Sequence, residues 1–189
     1  MVFECILKQK GIRPSELDLI QNIDFGSTAA AFSGGQGDFT VEFEPYAAGL
    51  EASGDGVVVA SLGVESGYVP YTAYCVRKSW LAAHKEQAQQ FVNAIQKGMN
   101  YVNSHTAEEI AAVIAPQFKE TEKDTLTKIV GRYLEQDTWK EDTVFKKESF
   151  ELLQDILEDA GELKERVPYE KLVTTELSEK AAKAEKADR

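Results

Sequence analysis

The sequence predicts an α/β fold: a short, mostly parallel sheet with crossover helices, followed by a helical carboxyl-terminal region. Three observations carry this expectation. Residues 17–63 alternate between strand-like and helix-like patterns with short links, which implies parallel pairing through right-handed crossovers. From residue 84 onward the apolar spacing is almost wholly helical. The composition, 43% hydrophobic and 28% charged over 189 residues, is that of a globular chain able to bury a core.

The elements follow in order. "MVFECILKQK" carries apolar residues at 2, 3, 6 and 7, the stripe of a helix, and Gly11 is a natural stop. It has no room for an N-terminal cap, so the sequence is expected to start inside or right at an element. "LDLIQNI" (17–23) reads as a strand, "GSTAAAFSGGQG" (26–37) as a short helix with a glycine exit, and "FTVEFE" (39–44) as a second strand. "PYAAGLEAS" (45–53) reads as a helix with Pro45 at its first position, and "GVVVASLG" (56–63) as a third strand. "ESGYVPYTAYCVRKSWL" (65–81) is a turn and an aromatic-rich extended segment.

Helices then follow over 84–105, from the capping box of Thr106 and Glu109, from Thr121, and over "KESFELLQDILEDAGEL", which ends at Gly161. "ERVPYEKLV" is a proline-interrupted docking segment. "SEKAAKAEKADR" lacks large apolar side chains, and residues 177–189 are expected to form a frayed or disordered tail. Helices of this kind need a sheet or a partner to cover, and three compact strands make an unbalanced domain.

A net charge of −11 with no basic stripe argues against nucleic acid. The net negative charge is concentrated in residues 1–72, where three basic side chains face ten acidic ones. No run of 18 apolar residues is present to span a membrane, and no charged-then-apolar leader is expected to act as an export signal. Cys5 and Cys75 sit in apolar patterns and read as small buried hydrophobes. His84 and His105 lie too far apart for a facing pair of metal ligands, so neither a metal nor another cofactor is expected. No nucleophile with a nearby base can be assembled, and no enzyme is expected. "GGQGD" is a helix stop and tight turn, since no Lys-Ser/Thr follows and it precedes a strand. Trp80 and Trp139 read as packing residues.

In parallel sheets, ligands sit beyond the carboxyl ends of the strands. Glu44 falls at such an end and could accept hydrogen bonds from an amine or aminopyrimidine; the alternatives are a solvated loop acid or a cap for the helix at Pro45. Glu42 shares its alternation face and competes as the inward-pointing carboxylate. Asn22, Asp24, Ser27 and Thr28 lie at the first strand exit and are candidates for ligand contact, although Asp24, Ser27 and Thr28 are also ordinary caps. Tyr68 and Tyr71 could stack on a ring or pack in a hinge.

The segments "GDFTVEFEPYA" and "SGYVPYTAY", within the ordered run from "IQNIDF" to "RKSWL", resemble the substrate-binding proteins of ABC importers in the nitrate, sulfonate and taurine group. That group includes binders of thiamine-pyrimidine precursors. The downstream helices through "AGELKERVPYEKLV" resemble the same family, so the likeness covers residues 1–176. It implies a periplasmic-binding-protein type II fold, two lobes closing on a ligand. Residues 1–71 would be the second lobe, incomplete at its start, and Tyr68–Tyr74 the returning hinge. Residues 72–176 would belong to or brace a first lobe lying mostly upstream, where the export signal would also be.

The implied function is solute capture outside the cytoplasm, at the periplasm or a lipid-anchored cell surface, and delivery to membrane permease subunits. The ligand would be sulfonate- or taurine-like, or aminopyrimidine-like. Alternatives are a shortened fragment acting as an interaction module, with a dimer through its open face, or a pyrimidine-synthesis enzyme of the same fold. That enzyme relies on a cysteine-rich motif that this sequence does not carry.

Overall fold

The computed structural model describes residues 1–187. The expected sheet is not there. Among the described residues no strand forms, and the α/β architecture of a type II binding protein is replaced by helices joined by irregular segments. Residues 18–24, 39–43, 56–60 and 69–77, where the alternation predicted strands or extended chain, have neither regular structure nor a backbone ladder between them. The physical reason lies in what alternation specifies. It fixes which side chains share a face, whereas a strand exists only when a neighbour accepts its backbone hydrogen bonds. These segments find no such neighbour among the described residues.

The helical expectations fare differently. Helix α1 (Val2–Gln9) buries Ile6 and Leu7, and Met1 stands at its N-cap without a side-chain cap. Short helices α2 (Thr28–Ser33), α3 (Tyr46–Ser53), α4 (Leu62–Glu65) and α5 (Lys78–Ala83) punctuate the irregular segments. Helix α3 stops where Gly54 adopts φ +80°, a left-handed conformation that costs glycine little. The long α6 (Lys85–Val102) opens the carboxyl-terminal region. In α7 (Ala107–Ile114) the capping box is realised. The Glu109 amide donates to Thr106 Oγ1 at 3.3 Å, and the Thr106 amide donates to Glu109 Oε2 at 2.9 Å.

Helices α8 (Lys123–Glu135), α9 (Lys147–Asp159), α10 (Tyr169–Leu172) and α11 (Glu176–Ala187) complete the chain. The main core lies between α7 and α8, where Ile110, Ala111, Leu126 and Val130 are buried. Tyr101, Val102, Leu134 and Trp139 close around them. Helix α11 lies along α6 and buries Ala181, so residues 177–187 of the expected tail are helical and the last two lie outside the described residues.

Two buried glutamines fasten the loops. Gln96, 2% exposed, donates to the Glu141 carbonyl and accepts from the Thr143 amide, while Gln154 accepts from the Val167 amide. Each replaces a missing backbone partner for a loop crossing the helix, which is how a buried amide side chain is tolerated. Cys5 is half-buried, but Cys75 is exposed, because its apolar surroundings lie on an unpaired segment.

Candidate functional site

Helices α2 and α3 pack against each other and leave an open cavity of about 270 Å³ between them, lined by Ala29, Ala30, Pro45, Tyr46 and Leu50. Ala29 follows Thr28 and Pro45 follows Glu44, so two of the sequence-derived candidate clusters flank one cavity.

Glu44 is held on two sides. Its Oε2 accepts from the Ala48 amide at 2.9 Å, which caps α3, and its Oε1 accepts from Arg132 of α8. The Glu44 side chain is only 6% exposed. Arg132 also donates to Glu51 Oε2 at 2.6 Å, and Lys128 reaches the same oxygen at 2.8 Å. Lys128 and Arg132 stand four residues apart on α8 and so share a face, which turns toward Glu44, just before α3, and Glu51 within it. Lys128, then Arg132, hold the Glu51 carboxyl down at about 2. The cluster joins the amino-terminal segment to the helical body through charge.

Asp24, Ser27 and Thr28 are arranged otherwise. Asp24 and Ser27 occupy N-cap positions, yet neither side chain makes a cap hydrogen bond, and both residues are exposed. Thr28 is half-buried and donates through Oγ1 to the Phe25 carbonyl at 2.9 Å. Asn22 is exposed on the segment before them.

The two tyrosines part company. Tyr71 meets Phe43, with ring centroids 5.0 Å apart, and Phe43 meets Phe25 at 5.1 Å. This chain of rings draws residues 25, 43 and 71 together, next in sequence to Asp24 and Glu44. Tyr68 turns instead toward the loop after α8, donating to Asp137 Oδ2 at 2.8 Å beneath Lys140, whose Nζ lies 3.8 Å from its ring centroid. The bond to Asp137 raises the Tyr68 phenol above its ordinary value, and Lys140, then Tyr68, lower Asp137. Glu42 is half-buried, with Oε1 accepting from Thr40 and a buried Oε2 that takes no hydrogen bond among the described residues.

Sequence reasoning missed Phe25, Phe43, Glu51, Lys128 and Arg132. The spacing of Lys128 and Arg132 was readable. Their acidic partners, more than 80 residues away, were not.

The NMT1-like family model matches residues 1–115, a stretch that contains Asn22, Asp24, Ser27, Thr28, Glu44, Tyr68 and Tyr71. The chain belongs to the NMT1-like family. It is also 39% identical over 181 residues to a protein of Bacillus subtilis (strain 168) named "Putative binding protein YtlA", a match covering 95% of this chain and 54% of the relative. The chain thus spans about half the length of the curated relative it matches. No solved structure matches it. The resemblance to nitrate, sulfonate and taurine binders is borne out at the level of the family, and family and relative alike point to a binding protein rather than an enzyme.

Proposed function

We propose that this member of the NMT1-like family is the solute-binding component of an ABC importer. It works outside the cytoplasm and hands a small polar organic ligand to membrane permease subunits. The observation that carries the reading is the 39% identity to a named binding protein across nearly the whole chain. Residues 1–71 form one side of the ligand cleft, and residues 72–176 form the hinge return and the body that braces it.

Asp24 and Ser27, exposed and without cap bonds, supply polar contacts together with Asn22 and Thr28. Tyr71, with Phe25 and Phe43, offers ring surface for an amine-bearing or heteroaromatic ligand. Glu44 acts from its pairing with Arg132, and Tyr68 sets the position of the segment that carries Tyr71. Sulfonates, taurine and aminopyrimidines are the ligand classes to compare.

Calorimetric titration of the protein with taurine, short alkanesulfonates and aminopyrimidines tests this reading. Saturable binding of one class, weakened at least about tenfold by Asp24→Asn or Tyr71→Ala, is the expected result. Absence of binding by all three, or binding that both substitutions leave unchanged, contradicts it.

A further inference from the structure

A second open cavity, of about 370 Å³, lies between α9 and the chain that follows it, and it shares no lining residue with the cavity between α2 and α3. Glu151, Gln154 and Asp155 line it from α9, and Arg166, Val167 and Tyr169 line it from the returning segment. Positions 151, 154 and 155 recur at helical spacing, so α9 turns one polar face to this cavity.

Gln154 is the unusual member. Its side chain is buried, at 7% exposure, and its Oε1 accepts from the Val167 amide at 2.8 Å. A backbone amide can only donate, so this bond fixes which end of the carboxamide is the oxygen. The Nε2 group is thereby turned away from Val167, and it donates to nothing among the described residues. It is not sealed, because the sealed side-chain atom without a partner among the described residues is Glu42 Oε2. The Gln154 nitrogen therefore opens onto the cavity that its side chain lines. Buried amide groups in folded chains are almost always hydrogen-bonded. This one is held in place for an acceptor from outside the chain.

The charges around it set the rest of the ligand. Lys147 is shared by Glu170 at 3.0 Å and Glu151 at 4.0 Å, and Arg166 is shared by Asp155 and Glu158. Two cations thus serve four carboxylates, which leaves acceptors over. An ammonium group can take them up, whereas a carboxylate would meet like charge. No cluster of metal-ligating side chains forms among the described residues, and an N–H donor repels a bare metal ion. Val167 and Pro168 add apolar wall that suits an aliphatic side chain.

We infer that this cavity is a binding site for an amino-acid amide, in which an ammonium group stands beside a neutral carbonyl. Gln154 Nε2 donates to the carbonyl, Glu151 accepts from the ammonium, and the ligand's side chain rests on Val167 and Pro168. The inference does not rest on the solute-binding reading, which concerns Asp24, Tyr71 and their neighbours.

The test is titration of the isotope-labelled full chain with leucinamide, followed by nuclear magnetic resonance. The Gln154 side-chain amide and the Val167 backbone amide should shift saturably. Isoamylamine, which lacks the carbonyl, and N-acetyl-leucinamide, which lacks the ammonium, should each bind at least about tenfold more weakly. Gln154→Glu keeps the acceptor for Val167 but removes the donor, and Glu151→Gln changes an exposed carboxylate. Each should weaken leucinamide binding at least about tenfold, and Glu151→Gln decides alone if Gln154→Glu loses the parent's circular dichroism. Tyr71→Ala should leave this binding unchanged.

Absence of a saturable shift at Gln154, or equal binding of leucinamide and isoamylamine, would overturn the inference. Binding that Glu151→Gln leaves intact, or that Tyr71→Ala abolishes, would overturn it as well.

Discussion

Residues 1–77 and residues 85–187 solve the problem of burying apolar surface in different ways. The first region fully buries four apolar side chains among the described residues, Ile6, Leu7, Ala48 and Leu50. The second buries nine, among them Ile110, Leu126 and Val130 in a single cluster. Both regions are rich in apolar residues, so composition does not separate them. Periodicity does. Helical spacing lets a segment satisfy its own backbone and pack one stripe on a neighbour, whereas alternation leaves backbone and side chains dependent on an adjacent strand. The helical region therefore buries more of its apolar surface within itself than the alternating region does.

The largest expected effect falls inside the helical region. Ile110→Ala removes the centre of the α7–α8 core and should cost about 2–5 kcal/mol in chemical denaturation followed by circular dichroism. A cost below about 1 kcal/mol would mean that this core is not what holds the region.

Next comes the joint between the regions. Arg132→Met leaves Glu44 nearly buried without its cation and should cost about 2–3 kcal/mol. Limited proteolysis should then cut first around α3 while α6–α9 stay protected.

Glu51→Gln weakens the same joint more gently, by about 1 kcal/mol, since Glu51 is more exposed than Glu44. Its carboxyl titrates at about 2 when folded, below the ordinary 4.5 of the unfolded chain. The unfolded state therefore takes up a proton first. The stability that Glu51 contributes is fully present above about pH 4.5 and is lost as the pH falls from there toward about 2. Denaturation midpoints across that window should converge for parent and Glu51→Gln.

The smallest effect belongs to the open face. Phe39→Ser in the isolated chain should change stability by no more than about 0.5 kcal/mol, since the ring is 81% exposed. A larger loss would show that the segment is already packed, and the contrast between the regions would fail.

What was legible in the sequence follows the same division. The capping box at Thr106 and Glu109, and the helices that cover 84–161, could be read because each signal is local to its own helix. The end of α3 at Ser53 was likewise placed correctly. The sheet was the error. "FTVEFE" carries genuine alternation and "GVVVAS" a β-branched apolar run, but neither signal reports whether a pairing strand is present.

At the site, Glu44 was correctly placed just before a helix, and the cap reading of it is realised at Ala48. Its main charge partner, Arg132, lies 88 residues away on a helix whose approach no local pattern encodes. Tyr71 could be singled out from the sequence as an aromatic candidate, while its contact with Phe43 depends on how two irregular segments cross.

Hydrogen exchange of the isolated chain, read segment by segment, tests the contrast most directly. Amides of α6, α7, α8 and α9 should exchange slowly and together. Those of residues 18–24, 39–43, 56–60 and 69–77 should exchange near the rate of unstructured chain. Protection in those four segments equal to that in α7 and α8 would contradict the account, because it would show that the alternating region has covered itself.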